Sequence, residues 1–146
     1  MEIRKIRWDE IGEVVELYDE YDRPKAPRPA EEKMHKAFAS IVEAGGCVVG
    51  AFESGRLIGT CTVNLCANLS WSARPYAIIE NVIVSNTFRR HGVGKAVLQY
   101  ATDFAQKAGC YKVALMTGSK DPATLRFYEA AGFSASKQGF QIRFGA

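Results

Sequence analysis

No apolar run in this chain approaches the roughly 18 residues that a membrane-spanning helix needs, so no membrane partner is expected. None of the four cysteines, Cys47, Cys61, Cys66 and Cys110, forms a C-x-x-C pair, and the two histidines, His35 and His91, lie far from any cysteine pair. That spacing argues against a zinc site or a disulfide framework, and no metal is expected. Cys47, Cys61 and Cys110 sit in apolar stretches, which predicts small buried hydrophobes in a reducing compartment, the cytoplasm. There is also no long run of lysine or arginine. The formal net charge of +3 is scattered, apart from the pair Arg89–Arg90, so no nucleic-acid surface is expected. The opening "MEIRKIRWDEIGEVV" is charged throughout, unlike a secretory signal. Internal repeats, linkers and low-complexity segments are absent.

What is present suits one domain, 1–146, with one sizeable core: 146 residues, 47% hydrophobic and 24% charged. "EIRKIR" (2–7) alternates isoleucine with charge and reads as a strand. Residues 8–22 carry Ile11, Val14, Val15, Tyr18 and Tyr21 at helical spacing. "RPKAPRP" (23–29), with three prolines, is a loop. Residues 30–45 place Met34, Phe38, Ile41 and Val42 on one helical face, closed by Gly45–Gly46. Two β-rich runs around "ESGR" make 47–68 a hairpin, and 69–75 is a loop. "YAIIENVIVS" (76–85), almost continuously apolar around Glu80, predicts a central strand buried on both faces. A second helix pattern carries Val93, Val97, Leu98, Ala101, Phe104 and Ala105. Then come a strand (109–118), a helix capped by Asp121 with Pro122 at its first position and Gly132 past its end (121–133), and a closing strand, "GFQIRF" (139–144). The order β-α-α-β-β-β-α-β-α-β predicts a mixed α/β (α+β) fold, with a central sheet flanked by helices.

The turn "SNTFRRHGVGK" (85–95) crowds Arg89, Arg90 and His91 before Gly-x-Gly-Lys, at the start of a helix. A helix N-terminus offers unpaired N–H groups and the positive end of the helix dipole, and glycine lets a ligand approach the backbone closely. With Arg89, Arg90 and Lys95 around it, this turn reads as a cradle for a diphosphate. A P-loop does not fit, because Arg89 stands where its first glycine belongs and Ala96 where it needs Ser or Thr. A dinucleotide fingerprint would need a small residue at Val97 and an N-terminal β-α-β unit. ATP, GTP and NAD are poor matches on these grounds.

"RRHGVG" resembles the R/Q-x-x-G-x-G/A motif of the GNAT superfamily, the GCN5-related N-acetyltransferases, with Arg89, Gly92 and Gly94 in its defining places. "IIENVIVS" and "TLRFYEAAGF" are similar to that family's central strand and final helix. The resemblance spans about residues 76–133, and the element order agrees with the GNAT fold. It implies that the turn, Arg89 through Lys95 with Val93 included, binds the pyrophosphate of acetyl-CoA through backbone amides. It also implies that Val82, Ile83 and Val84 offer backbone groups to the pantetheine arm, which enters between the splayed strands 76–85 and 111–117.

Acetyl transfer to an amine needs a base, because a lysine-like amine has a pKa near 10.4, a donor for the thioester oxygen, and an acid for the departing thiolate. Glu80, the single ionisable group in an apolar strand, is the base candidate, acting directly or through a water; burial would raise its pKa. A Glu80 satisfied by a neighbouring lysine or by Asn81 is the ordinary alternative. The backbone N–H of Val82 is the oxyanion donor candidate. By the resemblance, Tyr128 points its hydroxyl at the coenzyme A sulfur as general acid; without it, an aromatic at helical spacing reads as core. Many members carry Asn where this chain has Asp121, so Asp121 reads mainly as a helix cap beside any coenzyme contact. Neither histidine is placed to partner a nucleophilic cysteine, which favours direct transfer in a ternary complex over a covalent intermediate.

The resemblance places the acceptor between the first helices, the loop before the central strand and the last strands. That nominates Tyr18, Tyr21, Asp22, Trp71 and Arg74 as contacts, while the acidic 19–22 segment also reads as a solvated helix end. "GCYKVAL", "RFYEAAGFS" and "FQIRF" are similar to glucosamine-6-phosphate N-acetyltransferases, although "MTGSKDPATL" is longer than that subgroup's loop. The resulting expectation is an N-acetyltransferase moving acetyl from acetyl-CoA to a primary amine of a small molecule. A non-catalytic acyl-CoA sensor and a protein or peptide N-acetyltransferase are the competing readings. A homodimer using the closing strand is expected from the frequency of such assemblies.

Overall fold

The computed structural model describes residues 1–21 and 27–145. Asp22 and most of the 23–29 loop lie outside the described residues. The described chain falls into two compact units, Met1–Leu115 and Met116–Ala146.

The first unit is built on a five-stranded sheet in the order β1-β2-β3-β4-β5. The strands are β1 (Glu2–Lys5), β2 (Cys47–Glu53), β3 (Arg56–Cys66), β4 (Tyr76–Val84) and β5 (Val113–Leu115). The first four run antiparallel and β5 joins β4 in parallel. The hairpin expected over 47–68 is β2–β3, closed by a two-residue turn at Ser54–Gly55, both with positive φ.

Helix α1 (Ile11–Tyr18) follows a 3-10 turn at Trp8–Glu10, and α2 (Glu31–Glu43) ends as the glycine pair predicted. There the N–H groups of Gly45 and Gly46 reach the carbonyls of Val42 and Ile41, both at 2.9 Å. The inner residues of α1, Val14 and Leu17, pack with Ile6, Val48, Phe52, Leu57 and Ile83. Phe38 and Ile41 of α2 add partly buried contacts to that cluster.

Residues 69–75 are not an open loop. They contain a short turn, α3 (Ser70–Ala73), with Trp71, Ser72 and Ala73 all at φ near +55 to +59°.

The long helix α4 (Val93–Lys107) packs on the sheet, with Val97, Leu98, Ala101 and Ala105 fully buried. Truncating a buried leucine such as Leu98 costs about 2–5 kcal/mol, so this packing holds α4 firmly on the sheet. A 3-10 turn at Asn86–Phe88 links β4 to α4.

In the second unit, α5 (Pro122–Ala130) begins as expected, with Asp121 accepting from the Ala123 N–H at 2.9 Å and Pro122 at the first position. The segment 139–144 is not a strand. Phe140, Ile142 and Phe144 are 91%, 81% and 92% exposed, and no strand pairs with them among the described residues. Their alternation puts three apolar side chains on one face, but a strand also needs a partner edge. The strand expected over 109–118 is likewise short, limited to Val113–Leu115.

Candidate active site

The strand-to-helix turn forms around Gly92, whose φ of +78° makes it the left-handed residue before α4. The first helical bond of α4 runs from the Ala96 N–H to the Gly92 carbonyl. The N–H groups of Val93, Gly94 and Lys95 therefore precede the helical ladder and are donors for an external anion. Val93 and Gly94 are buried, which sets this backbone against the sheet. Arg89, Arg90, His91 and Lys95 are exposed around it. None of these four has an ion-pair partner among the described residues. His91 instead meets Phe88 edge-on, with ring centroids 6.1 Å apart. The donor set and its free cations fit a diphosphate.

Two residues outside the motif hold this turn. A Cβ on Gly59 of β3 would lie 2.6 Å from Val93 Cγ1, so the missing side chain allows the start of α4 to press onto β3. Glu20, just past α1, accepts from the buried Ser85 Oγ (3.2 Å) and from the Asn86 N–H (3.1 Å), through one carboxylate oxygen. Asp19 beside it pairs with Arg28 at 2.8 Å. Asp19 and Glu20, two residues of the acidic 19–22 segment, are thus committed to structural contacts. Neither Gly59 nor Glu20 carries a local sequence signal, because each acts on a residue more than thirty positions away.

Strand β4 splits in character along its length. Parallel pairing with β5 covers Ala77–Val113, Ile78–Ala114 and Ile79–Leu115 and goes no further. On the other side, Thr62 pairs with Glu80 and Thr60 with Ile83. One residue of β3, Cys61, therefore faces two of β4, Asn81 and Val82, and Asn81 has φ +55°. This is a β-bulge, which bends the strand and re-aims its side chains. Val82, Ile83 and Val84 lie just beyond it, on the stretch that β5 does not cover.

The bulge corrects one expectation. Glu80 is exposed, not buried on both faces of a central strand. Glu80 and the adjacent Asn81, which strict alternation would send to opposite faces, line one cavity of about 360 Å³ between the sheet and the helices α1 and α2. Within the described residues neither side chain makes a hydrogen bond or ion pair, and no lysine or Asn81 contact satisfies Glu80 there. Tyr18 lines the same cavity.

Of the other described acceptor candidates, Tyr21, Trp71 and Arg74 do not line it. Tyr21 is 45% exposed beyond the end of α1. Arg74 donates from Nε to the Gly109 carbonyl (3.4 Å) and from Nη2 to the Cys110 carbonyl (3.2 Å), tying the α3 turn to the segment after α4. Trp71 stacks on Tyr111 with centroids 5.2 Å apart. In the second unit, Tyr128 is half-buried on α5, with Phe127 and Phe133 rings at 5.0 and 6.4 Å.

Cysteine chemistry is disfavoured by burial at Cys47, Cys61 and Cys110. Cys47, Cys61 and Cys110 are buried free thiols. Burial pushes the Cys47 thiol up to about 11 and raises those of Cys61 and Cys110 as well, against the thiolate that a nucleophile requires. No group of three His, Cys, Asp or Glu side chains is placed to hold a metal ion among the described residues. No helix there is long and apolar enough to cross a membrane.

The family model described as the Acetyltransferase (GNAT) family matches residues 8–133. The chain belongs to the GNAT acetyltransferases. Among curated GNAT relatives, the glucosamine 6-phosphate N-acetyltransferase of Trypanosoma brucei brucei is 30% identical over 107 residues, covering 71% of each chain. A solved structure of a putative acetyltransferase from Agrobacterium tumefaciens is 36% identical, with a TM-score of 0.88 over 99% of this chain and 100% of that one. The glucosamine-6-phosphate N-acetyltransferase structure from Arabidopsis thaliana has a TM-score of 0.85 over 99% and 98% of the two chains; at 23% identity it speaks for the fold alone. The GNAT fold, with its mixed sheet flanked by helices, is the architecture of this protein.

Proposed function

We propose that this GNAT protein transfers acetyl from acetyl-CoA to the primary amine of a small molecule, directly within a ternary complex. The observation that carries the reading is the conjunction, within the first unit, of two features of β4. The strand edge beyond Ile79 lies open beside an α4 N-terminus ringed by free cations, and Glu80 stands at a cavity on the helix-covered face. Relatives named as acting on small amino sugars support the substrate class.

Acetyl-CoA supplies the acyl group as a thioester. Backbone N–H groups of Val93, Gly94 and Lys95, with Arg89, Arg90 and His91 near them, hold its diphosphate, and Val82, Ile83 and Val84 face its pantetheine arm. Asp121 keeps a structural role at the start of α5. Glu80 takes a proton from the ammonium form of the acceptor, directly or through a water, freeing the nitrogen lone pair. As the C–N bond forms, the Val82 N–H stabilises the oxygen that gains charge. The C–S bond then breaks and Tyr128 protonates the leaving thiolate; the second proton of the nitrogen passes to the Tyr128 oxygen, and Glu80 releases the first to solvent, which restores both groups. The net products are the N-acetyl amine, free coenzyme A and one proton.

The enzyme is read as one domain, cytoplasmic in keeping with its free buried thiols. The exposed Phe140, Ile142 and Phe144 support a homodimer, which light scattering tests. Amine-dependent release of free thiol from acetyl-CoA tests the activity. Thiol release that no primary amine accelerates would reject it.

A further inference from the structure

The cavity beside Glu80 has two chemically different sides. Its floor is the sheet, where Thr62, Asn64, Glu80 and Asn81 cluster as polar groups. Its walls are apolar and come from α1 and α2, among them Ile11, Val15, Met34, Ala37 and Phe38. Helix α2 buries none of its residues fully, although Met34, Phe38 and Ile41 share one face directed at the sheet. That half-covered apolar face is surface an occupant can bury, and removing it from water favours binding. A polyhydroxylated sugar would lose its hydrogen bonds to water against apolar walls, which costs binding energy.

On these grounds we infer that the acceptor is an amine with an apolar body, an arylalkyl or alkyl primary amine. Its ammonium group lies at Glu80 and Asn81, and its hydrocarbon part lies between α1 and α2. This rests on the acetyltransferase reading above and narrows it to a substrate class unlike the amino-sugar phosphate named for the curated relatives. A cavity of about 360 Å³ accommodates a ring and a short chain. The bulge is what makes the arrangement amphiphilic, because it gathers two adjacent polar side chains at one end and leaves the helical walls apolar.

The test compares kcat/KM for 2-phenylethylamine, n-hexylamine and glucosamine 6-phosphate, by thiol release with saturating acetyl-CoA, beside calorimetric titration of coenzyme A. The expected result is coenzyme A binding, with at least one apolar amine favoured over the sugar phosphate by about 100-fold or more. Ala37→Glu, at an exposed position on the cavity wall, should lower kcat/KM for the apolar amines about tenfold through KM and leave coenzyme A affinity unchanged. Coenzyme A binding with the sugar phosphate preferred, or with neither apolar amine acetylated, overturns the inference and leaves the acetyltransferase reading standing. Failure of the folded protein to bind coenzyme A overturns both. Indifference of the apolar-amine KM to Ala37→Glu places the acceptor elsewhere and also overturns the inference.

Discussion

Ile79 and Leu115 form the last pair of the parallel ladder between β4 and β5. One residue further on, β4 reaches Glu80 and then the bulge at Asn81–Val82, while its pairing with β3 continues to Val84. Among the described residues, only β3 pairs with the strand from that point. Backbone donors and acceptors on the other side are left for a ligand that runs alongside, much as an added strand would. The open edge leads directly into the turn where the N–H groups of Val93, Gly94 and Lys95 gather. A long donor with a diphosphate at one end and a linear amide-containing arm at the other matches both features.

Gly59 is the position at which the sheet sets the depth of the cradle. Gly59→Val should push Val93 outward, weaken coenzyme A binding at least tenfold and destabilise the fold by about 1–3 kcal/mol through overpacking. Gly59→Ala should show the same order of effects at smaller size. Calorimetry and denaturant titration on both variants check this. Full coenzyme affinity in a folded Gly59→Val protein would show that the contact is not needed.

Glu80→Gln removes the proposed base and keeps the shape. At neutral pH kcat/KM for the amine should fall about 100-fold, the lower end of what a positioned base contributes. The deficit should shrink as the pH rises toward the amine's own pKa near 10, because more of the acceptor then arrives deprotonated. A pH–rate profile of both proteins is the measurement. A deficit that stays constant with pH would point to a positioning role.

For Tyr128 the expected signature is a fall in kcat of about 100-fold in Tyr128→Phe, with acetyl-CoA affinity nearly constant, since only the acid is lost. Rapid-mixing kinetics with equilibrium binding separates the two. An unchanged rate would return Tyr128 to the packing role suggested by its neighbours Phe127 and Phe133.

Acid stability has a named origin. Arg4 donates to both carboxylate oxygens of the buried Glu10, at 2.8 and 2.7 Å, and the Arg7 N–H adds a third bond at 2.8 Å. The Arg4 bonds lead in holding the carboxyl down at about 2, below its usual 4.5. A depressed carboxylate contributes stability that is fully present above the unfolded pKa and is lost as the pH falls toward the folded one. Stability should therefore drop by about 2 kcal/mol between pH 5 and 2, the size expected of charge-assisted bonds at a site with little solvent. Glu10→Gln should be less stable at pH 7 and lose less on acidification. Urea melts at several pH values decide it, and parallel pH profiles for the two proteins would contradict the assignment.

Much of the frame is legible in the sequence because its signals are local. Helical spacing marks α1, α2 and α4, the Asp121–Pro122 pair marks the start of α5, and Gly92 marks the turn into α4. What escapes is decided between distant segments. The exposure of Glu80 follows from one residue of β3 facing two of β4, a matter of register that the apolar run "YAIIENVIVS" does not encode. Arg74 looks like a free cation in a polar loop, yet it serves the carbonyls of Gly109 and Cys110, thirty-five and thirty-six positions along. The alternation of Phe140, Ile142 and Phe144 tells which side chains share a face and says nothing about a partner strand.

On the function proposed above, the open β4 edge and the α4 N-terminus together hold coenzyme A. Calorimetric titration with acetyl-CoA, coenzyme A, ATP and NAD at one fixed salt concentration tests it most directly. Acetyl-CoA and coenzyme A should bind with similar affinity, and ATP and NAD at least about 100-fold more weakly, for want of a P-loop or a dinucleotide fingerprint. A folded protein that leaves coenzyme A unbound, or that prefers ATP or NAD, would contradict it.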